Sequence, residues 1–334
     1  MRVAAIDCGT NSLRLLVADV DPAAGTLTDV DRRMEIVRLG QGVDATGRLA
    51  PAALTRTMGA LRSYAAIVAA TGATAVRMVA TSATRDAANA ADFVTGVRGV
   101  LGVGPEVLSG DEEARLSFTG ATTELAAAAR PGAGGGRATA GPVAPPYLVA
   151  DIGGGSTEFV IGDPGASGAG AGGPGAVSAV SVDIGCVRLT ERHLHGDPPR
   201  PDEVRAAAAD IGAALDTVAA AIPVADARTL VGLAGSVTTV AGLALGLQEY
   251  DPARIHHTRV TADQVSAQAR RLLGQTRAER AALGVMHPGR ADVIAGGAMV
   301  LDQVMRRFGF AEVLASEHDI LDGIAWALGA GVPR

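Results

Sequence analysis

The chain contains no lysine: all 29 of its basic residues are arginine. Schiff-base chemistry and the phosphate-binding lysine of Walker-type loops are therefore excluded, so phosphate has to be met by arginine, metal or backbone amides. Cysteine is nearly as scarce. Cys8 and Cys186 are too few and too far apart for a disulfide framework or a metal knuckle, which fits a reducing compartment and two small buried hydrophobes. Positive charge is not in excess either. A formal net charge of −6 excludes general binding to nucleic-acid polymers or membrane surfaces, and an anionic ligand must be held locally. The apolar run before Asp7 covers only Val3 to Ile6, too short for a secretory signal, and a cytoplasmic location is expected. The six histidines contain no His-Glu-x-x-His and no other metal spacing, and they read as surface or core residues.

What is present points to two domains, since 334 residues of which 48% are apolar exceed what one hydrophobic core usually organises. Val3 to Ile6, the turn-like Asp7 to Ser12 and the apolar Leu13 to Val20 predict a hairpin. Tyr147 to Ala150, Asp151 to Ser156 and Thr157 to Gly162 repeat that grammar, so that Asp7, Gly9, Ser12 and Arg14 align with Asp151, Gly153, Ser156 and Glu158. The repeat suggests an internal duplication whose halves present the same turn to a shared cleft. Between the repeats, Pro51 starts a helix that Gly72 stops, Ala75 to Ala80 reads as a buried strand, Asp86 to Arg98 as a helix and Glu106 to Leu108 as a brief strand. A further helix runs from about Asp111 to Ala129. Strands alternating with helices imply an α/β architecture. Arg130 to Pro146 and Asp163 to Ala176 are Gly/Pro/Ala-rich and predict mobile loops. Farther on, Ala179 to Val182 and Thr229 to Leu233 predict strands, Asp202 to Ala221 and Ala262 to Leu273 predict helices, and a last helix is expected over Glu317 to Leu328 with Ser316 as its cap. Leu230 to Leu247 carries no charge, but its glycines and hydroxyls suit a strand, turn and helix better than a membrane span.

The chemistry concentrates in a few turns. In Asp151-Ile-Gly-Gly-Gly-Ser-Thr-Glu158, a carboxylate at a strand end precedes three glycines whose amides can approach phosphate oxygens, and Asp151 with Glu158 suits Mg2+. A plain hairpin turn is the bland alternative. Asp7-Cys-Gly-Thr-Asn-Ser12 makes the same case with Gly9, Thr10, Asn11 and Ser12, and Arg14 is either a phosphate ligand or half of a surface salt bridge. Gly235 and Ser236 supply a third glycine loop, which close helix packing would explain nearly as well. Thr81 to Arg85 forms an anion seat or a routine cap. Ser109-Gly-Asp-Glu-Glu-Ala-Arg115 opens a helix, where the positive dipole end keeps a carboxylate ionised and able to accept a proton. Glu112 and Glu113 are adjacent, so only one of them faces a given ligand.

Five segments together resemble the exopolyphosphatase and guanosine pentaphosphate phosphohydrolase (Ppx/GppA) family, in the actin-like ATPase and sugar-kinase superfamily. They are Ala5 to Arg14, Ala80 to Ala87, Leu108 to Leu116, Val149 to Glu158 and Leu233 to Thr239, and their order covers most of the chain. The resemblance implies two similar actin-like (ribonuclease H-like) domains, with mixed sheets flanked by helices and a cleft between them. Domain I would be 1–124 plus 314–334, and domain II 125–313. It further implies that Glu113 is the general base and that Asp151 and Glu158, with Asp7 as a further candidate, bind Mg2+ or Mn2+. Gly9, Thr10, Asn11, Ser12, Arg14, Arg85, Gly153, Gly154, Gly155, Ser156, Gly235 and Ser236 would contact substrate phosphates. The expected activity is release of terminal phosphate from inorganic polyphosphate or guanosine pentaphosphate, with no membrane and no nucleic-acid partner, and a homodimer is compatible. An ATP-dependent kinase, with Ala295 to Ala298 cradling adenosine, and a silent guanosine polyphosphate sensor are the rivals. On this resemblance the extra C-terminal helical domain of longer members, and the long-chain processivity that goes with it, are not expected, and Cys8 stands where an aliphatic residue is expected.

Overall fold

A computed structural model describes residues 1–128, 143–164 and 177–331, so the predicted loops 130–146 and 163–176 fall largely outside the described residues. The chain divides into two compact units, Met1–Gly120 with Ile320–Arg334, and Ala121–Asp319. Each is built on one mixed sheet.

In the first unit, β1 (Arg2–Cys8), β2 (Ser12–Asp21), β3 (Thr26–Ile36), β4 (Ala75–Ala80) and β5 (Glu106–Val107) lie in the order β3-β2-β1-β4-β5. β1 and β2 form the expected antiparallel hairpin, and β4 runs parallel to β1. Strand alternation sends side chains to opposite faces. Ala4, Ile6 and Cys8 join a core with Leu61, Tyr64 and Val68 of helix Pro51–Thr71, whereas Val3 and Ala5 join Ile320, Leu321 and Ile324 of helix Ile320–Gly329. Asp7 follows Val3 and Ala5 in this alternation.

The second unit orders β6 (Tyr147–Ile152), β7 (Thr157–Gly162), β8 (Ser178–Val182), β9 (Thr229–Leu233), β10 (Arg259–Thr261) and β11 (Glu312–Ala315) as β10-β11-β9-β6-β7-β8. β6 and β7 form the second hairpin, and β9 runs parallel to β6. Its core joins Leu148, Ala150 and Ile152 to Ile211, Leu215 and Val218 of helix Pro201–Ala221 and to Ala298, Leu301 and Val304 of helix Ile294–Phe308.

Three sequence expectations shift. The helix placed over Asp86 to Arg98 begins only at Ala90 and runs to Leu101, and a separate single turn at Ser82–Arg85 precedes it. Between them Asn89 is tied to Leu49, accepting its N–H at 2.8 Å and donating to its carbonyl at 3.1 Å, which holds the chain out of helical register. The last helix starts at Ile320, not Glu317, because the Ser316 hydroxyl bonds the His318 N–H and carbonyl in a local turn rather than capping a helix. Over Leu230 to Leu247, β9 passes straight into helix Ala234–Ala244 at Ala234, whose φ of +67° makes the corner without a separate turn. Among the described residues, no helix is long and apolar enough to cross a membrane.

Candidate active site

The aligned hairpins share one backbone device. Gly9 N–H donates to the Ser12 carbonyl at 3.0 Å, and Gly153 N–H donates to the Ser156 carbonyl at 3.0 Å. They differ in charge. Asp7 lies opposite Arg14 in the first ladder, and Arg14 Nη2 donates to Asp7 Oδ2 at 2.7 Å. Asp151 lies opposite Glu158 in the second. Directly opposed residues on an antiparallel pair project from the same face, so the equivalent positions form an acid–base pair in one hairpin and an acid–acid pair in the other. Both carboxylates of the latter are buried, and Glu158 Oε1 accepts the Ser181 hydroxyl at 2.7 Å. Two opposed carboxylates offering only oxygen fit a hard divalent cation such as Mg2+, which is satisfied by one or two carboxylates plus phosphate and water. Arg14, a candidate phosphate ligand by sequence, is placed on Asp7.

The glycine turn 153–156 is seated on the start of helix Cys186–His193. Cys186 N–H donates to the Gly153 carbonyl and Val187 N–H to the Gly154 carbonyl, both at 2.9 Å, while Arg188 Nε donates to the Gly155 carbonyl at 2.7 Å. The carbonyls are thus occupied. The amides of Gly154 and Gly155 make no hydrogen bond among the described residues, which leaves them able to donate to an anion. Gly185 enables this docking, because a Cβ there would lie 2.2 Å from the Gly154 carbonyl carbon and oxygen.

In the first unit, Thr10 Oγ1 and Ser82 Oγ lie 2.8 Å apart, joining the first hairpin turn to the single helical turn after β4. Arg85 Nη1 donates to the Leu108 carbonyl at 2.8 Å and to Glu113 Oε2 at 3.3 Å. The ambiguity between the adjacent glutamates resolves here. Glu112 is exposed and accepts the Ser109 N–H and hydroxyl at 2.9 and 2.8 Å in a capping-box pattern, bonds that hold its carboxyl below the ordinary range. Glu113 is turned inward, 8% exposed, beside the Arg85 guanidinium.

Gly235 and Ser236 are not in a loop but in the first turn of helix Ala234–Ala244, and Ser236 is buried. Gly235 nonetheless has a specific use: a Cβ on it would lie 2.1 Å from the Arg290 guanidinium carbon. Arg290 therefore rests on the glycine face. It was not singled out from sequence, since nothing near Pro288 to Arg290 carries a motif. Ala295 to Ala298, the adenosine cradle of the kinase alternative, are buried inside helix Ile294–Phe308, where a Cβ on Gly297 would lie 2.1 Å from Ser236 Oγ. A chain of polar groups also leads away from Thr238, whose hydroxyl is 2.7 Å from Tyr250 Oη; Tyr250 donates to Glu317 Oε1 at 2.6 Å. Burial raises both the tyrosine and the Glu317 carboxyl above their ordinary values. Cys8 and Cys186 are buried free thiols, and burial pushes both upward.

Although they lack a sequence motif, His256 and His318 converge on Glu124.

Two mixed sheets flanked by helices, each carrying an Asp-x-Gly-x-x-Ser hairpin, define a two-unit α/β protein. A model of the Ppx/GppA phosphatase family matches residues 16–326, and the chain belongs to that family. The exopolyphosphatase 2 of Mycobacterium tuberculosis (strain ATCC 25618 / H37Rv) is 48% identical over 338 residues, spanning 98% of each chain. The crystal structure of an exopolyphosphatase-like protein superposes with a TM-score of 0.89 at 41% identity, covering 99% of this chain and 98% of that one. A Ppx/GppA family member from Aquifex aeolicus superposes with a TM-score of 0.75 at 27% identity, covering 100% and 99%.

Proposed function

We propose that the protein is an exopolyphosphatase-type phosphohydrolase acting in the cytoplasm, releasing terminal phosphate from inorganic polyphosphate, guanosine pentaphosphate or both. The observation that carries this reading is the division between Glu112 and Glu113: one is consumed as a cap, and the other is a buried carboxylate beside a guanidinium at a helix start. Glu113 orients a water molecule and takes its proton as the water oxygen bonds to phosphorus and the anhydride P–O bond breaks. Arg85 positions the Glu113 carboxylate and offers positive charge to phosphate. The amides of Gly154 and Gly155, the Gly9 to Ser12 turn and Arg290 hold phosphate oxygens, while Arg14 keeps Asp7 in place. Asp151 and Glu158 are the groups that would hold Mg2+ or Mn2+, which when bound supplies neutralisation of phosphoryl charge. Since phosphoryl transfer rewards positioning and charge neutralisation over covalent chemistry, such a donor set suffices without a nucleophilic side chain.

Glu113→Gln keeps the shape and removes the base. Phosphate release from polyphosphate and from guanosine pentaphosphate should fall roughly 10²- to 10⁴-fold with substrate binding retained. Undiminished release by this variant would overturn the assignment.

A further inference from the structure

Outside the groups assigned above, three side chains distant in sequence share one small volume of the second unit. Glu124 comes from helix Gly110–Ala128, His256 follows the helical turn Pro252–Ile255, and His318 lies between β11 and helix Ile320–Gly329. Their carboxylate oxygen and ring nitrogens all lie within 4.8 Å of one another. Glu124 Oε2 is 3.1 Å from His256 Nε2 and 3.2 Å from His318 Nδ1, and the two rings are tilted with centroids 4.5 Å apart. We infer that Glu124, His256 and His318 form a binding site for a transition-metal ion of the zinc class, separate from the hard-cation set at Asp151 and Glu158.

The donor chemistry selects the ion. Imidazole suits Zn2+, Co2+, Ni2+ and Cu2+, whereas Mg2+ prefers oxygen alone. Three protein ligands with a fourth position left to water is the composition of an open tetrahedral site. Glu124 is 48% exposed and His318 34% exposed on their side chains, which gives an ion a path from solvent. The His256 ring is held in place before any ion arrives. It stacks on His257 with centroids 3.7 Å apart, and its Nδ1 accepts the Glu317 N–H at 3.1 Å.

That last bond also specifies what binding must change. With Nδ1 accepting, the neutral ring carries its proton on Nε2 and donates it to Glu124. An ion bound at Nε2 needs that lone pair, so the Nε2 proton leaves to solvent, Nδ1 takes one up, and the Glu317 N–H loses its acceptor. The ring stays neutral and the proton count balances. Likewise His318 gives up the Nδ1 proton it donates to the carboxylate and carries one on Nε2.

The test uses the full chain stripped of divalent ions. Zn2+ alone is titrated by calorimetry at micromolar concentrations, Co2+ serves as a visible-absorption probe of tetrahedral geometry, and imidazole 15N shifts report the tautomer. One Zn2+ per chain is expected, with a tetrahedral Co2+ spectrum and a change of His256 tautomer. Glu124→Gln and His318→Ala should each weaken Zn2+ by at least about tenfold, with unchanged thermal unfolding in the absence of metal showing that they fold. Asp151→Asn should leave Zn2+ affinity unaltered. Absence of micromolar binding by the wild-type chain overturns the proposal, as does binding that survives both cluster variants but is lost in Asp151→Asn.

Discussion

Gly185→Ala tests whether the turn 153–156 is a working phosphate cradle or merely a bend in the chain. A Cβ at position 185 would stand 2.2 Å from the Gly154 carbonyl carbon and oxygen and 2.5 Å from Gly155 N. An ordinary contact needs about 3.4 Å or more, so the turn and helix Cys186–His193 must separate by roughly 1 Å. The obstacle is backbone, which cannot swing aside like a side-chain tip. Overpacking of this kind costs about 1–3 kcal/mol, and a misplacement of about 1 Å in a catalytic cradle costs on the order of 100-fold in rate. The expected result is a modest fall in Tm together with a loss of kcat/KM for phosphate release of about 100-fold, measured well below the transition where the variant is fully folded. Gly212→Ala is the control. Its Cβ meets nothing within 4 Å inside helix Pro201–Ala221, so it should leave activity intact and hold or raise stability. If Gly185→Ala lowers Tm but keeps kcat/KM within about threefold of wild type, the turn is structural and the phosphate assignment to Gly154 and Gly155 is wrong.

Gly235→Ala meets first the guanidinium at the far end of the Arg290 side chain, so its Tm should change little while KM for a phosphate substrate rises about tenfold as the guanidinium is displaced; unchanged KM would remove Arg290 from the binding set. His257 gives a pH prediction. Burial lowers its ring from 6.5 to about 4, so the neutral ring is favoured in the fold, and its contribution is present above pH 6.5 and lost as pH falls toward 4. The loss is on the order of 2–3 kcal/mol, read by urea unfolding across that window. His257→Asn should flatten the slope, since Asn tolerates the φ of +60° there and does not titrate; an unchanged slope would assign the acid loss elsewhere.

Much of the fold was legible because its strongest elements are locally consistent. Both hairpins announce themselves through an apolar run, a Gly/Ser turn and a second apolar run, and helix Pro51–Thr71 is bracketed by its proline and by Gly72 at φ +70°. β3 left no such mark. Thr26–Ile36 alternates only weakly because it is an exposed edge strand crowded with charge, held by Arg33 to Asp31 and by Arg32 to the buried Asp322. β10 and β11 are three and four residues long, too short for periodicity to register. At the candidate site, spacing named Glu112 and Glu113 alike, and only the Ser109 cap separates them. Arg290 and the Glu124, His256 and His318 cluster were invisible for the same reason. Their partners are brought together by tertiary folding, and no linear pattern encodes a meeting of residues 124, 256 and 318.

The paired hairpins carry a lesson about how such a scaffold diversifies. Both keep the same Gly-to-Ser hydrogen bond at 3.0 Å across the same turn length, yet one ladder position holds Arg14 and its counterpart holds Glu158. Opposite charge thus sits on a single side chain beside the same backbone frame. A protein engineer could invert the charge of either hairpin by editing that one rung, with no need to rebuild the bend that presents it.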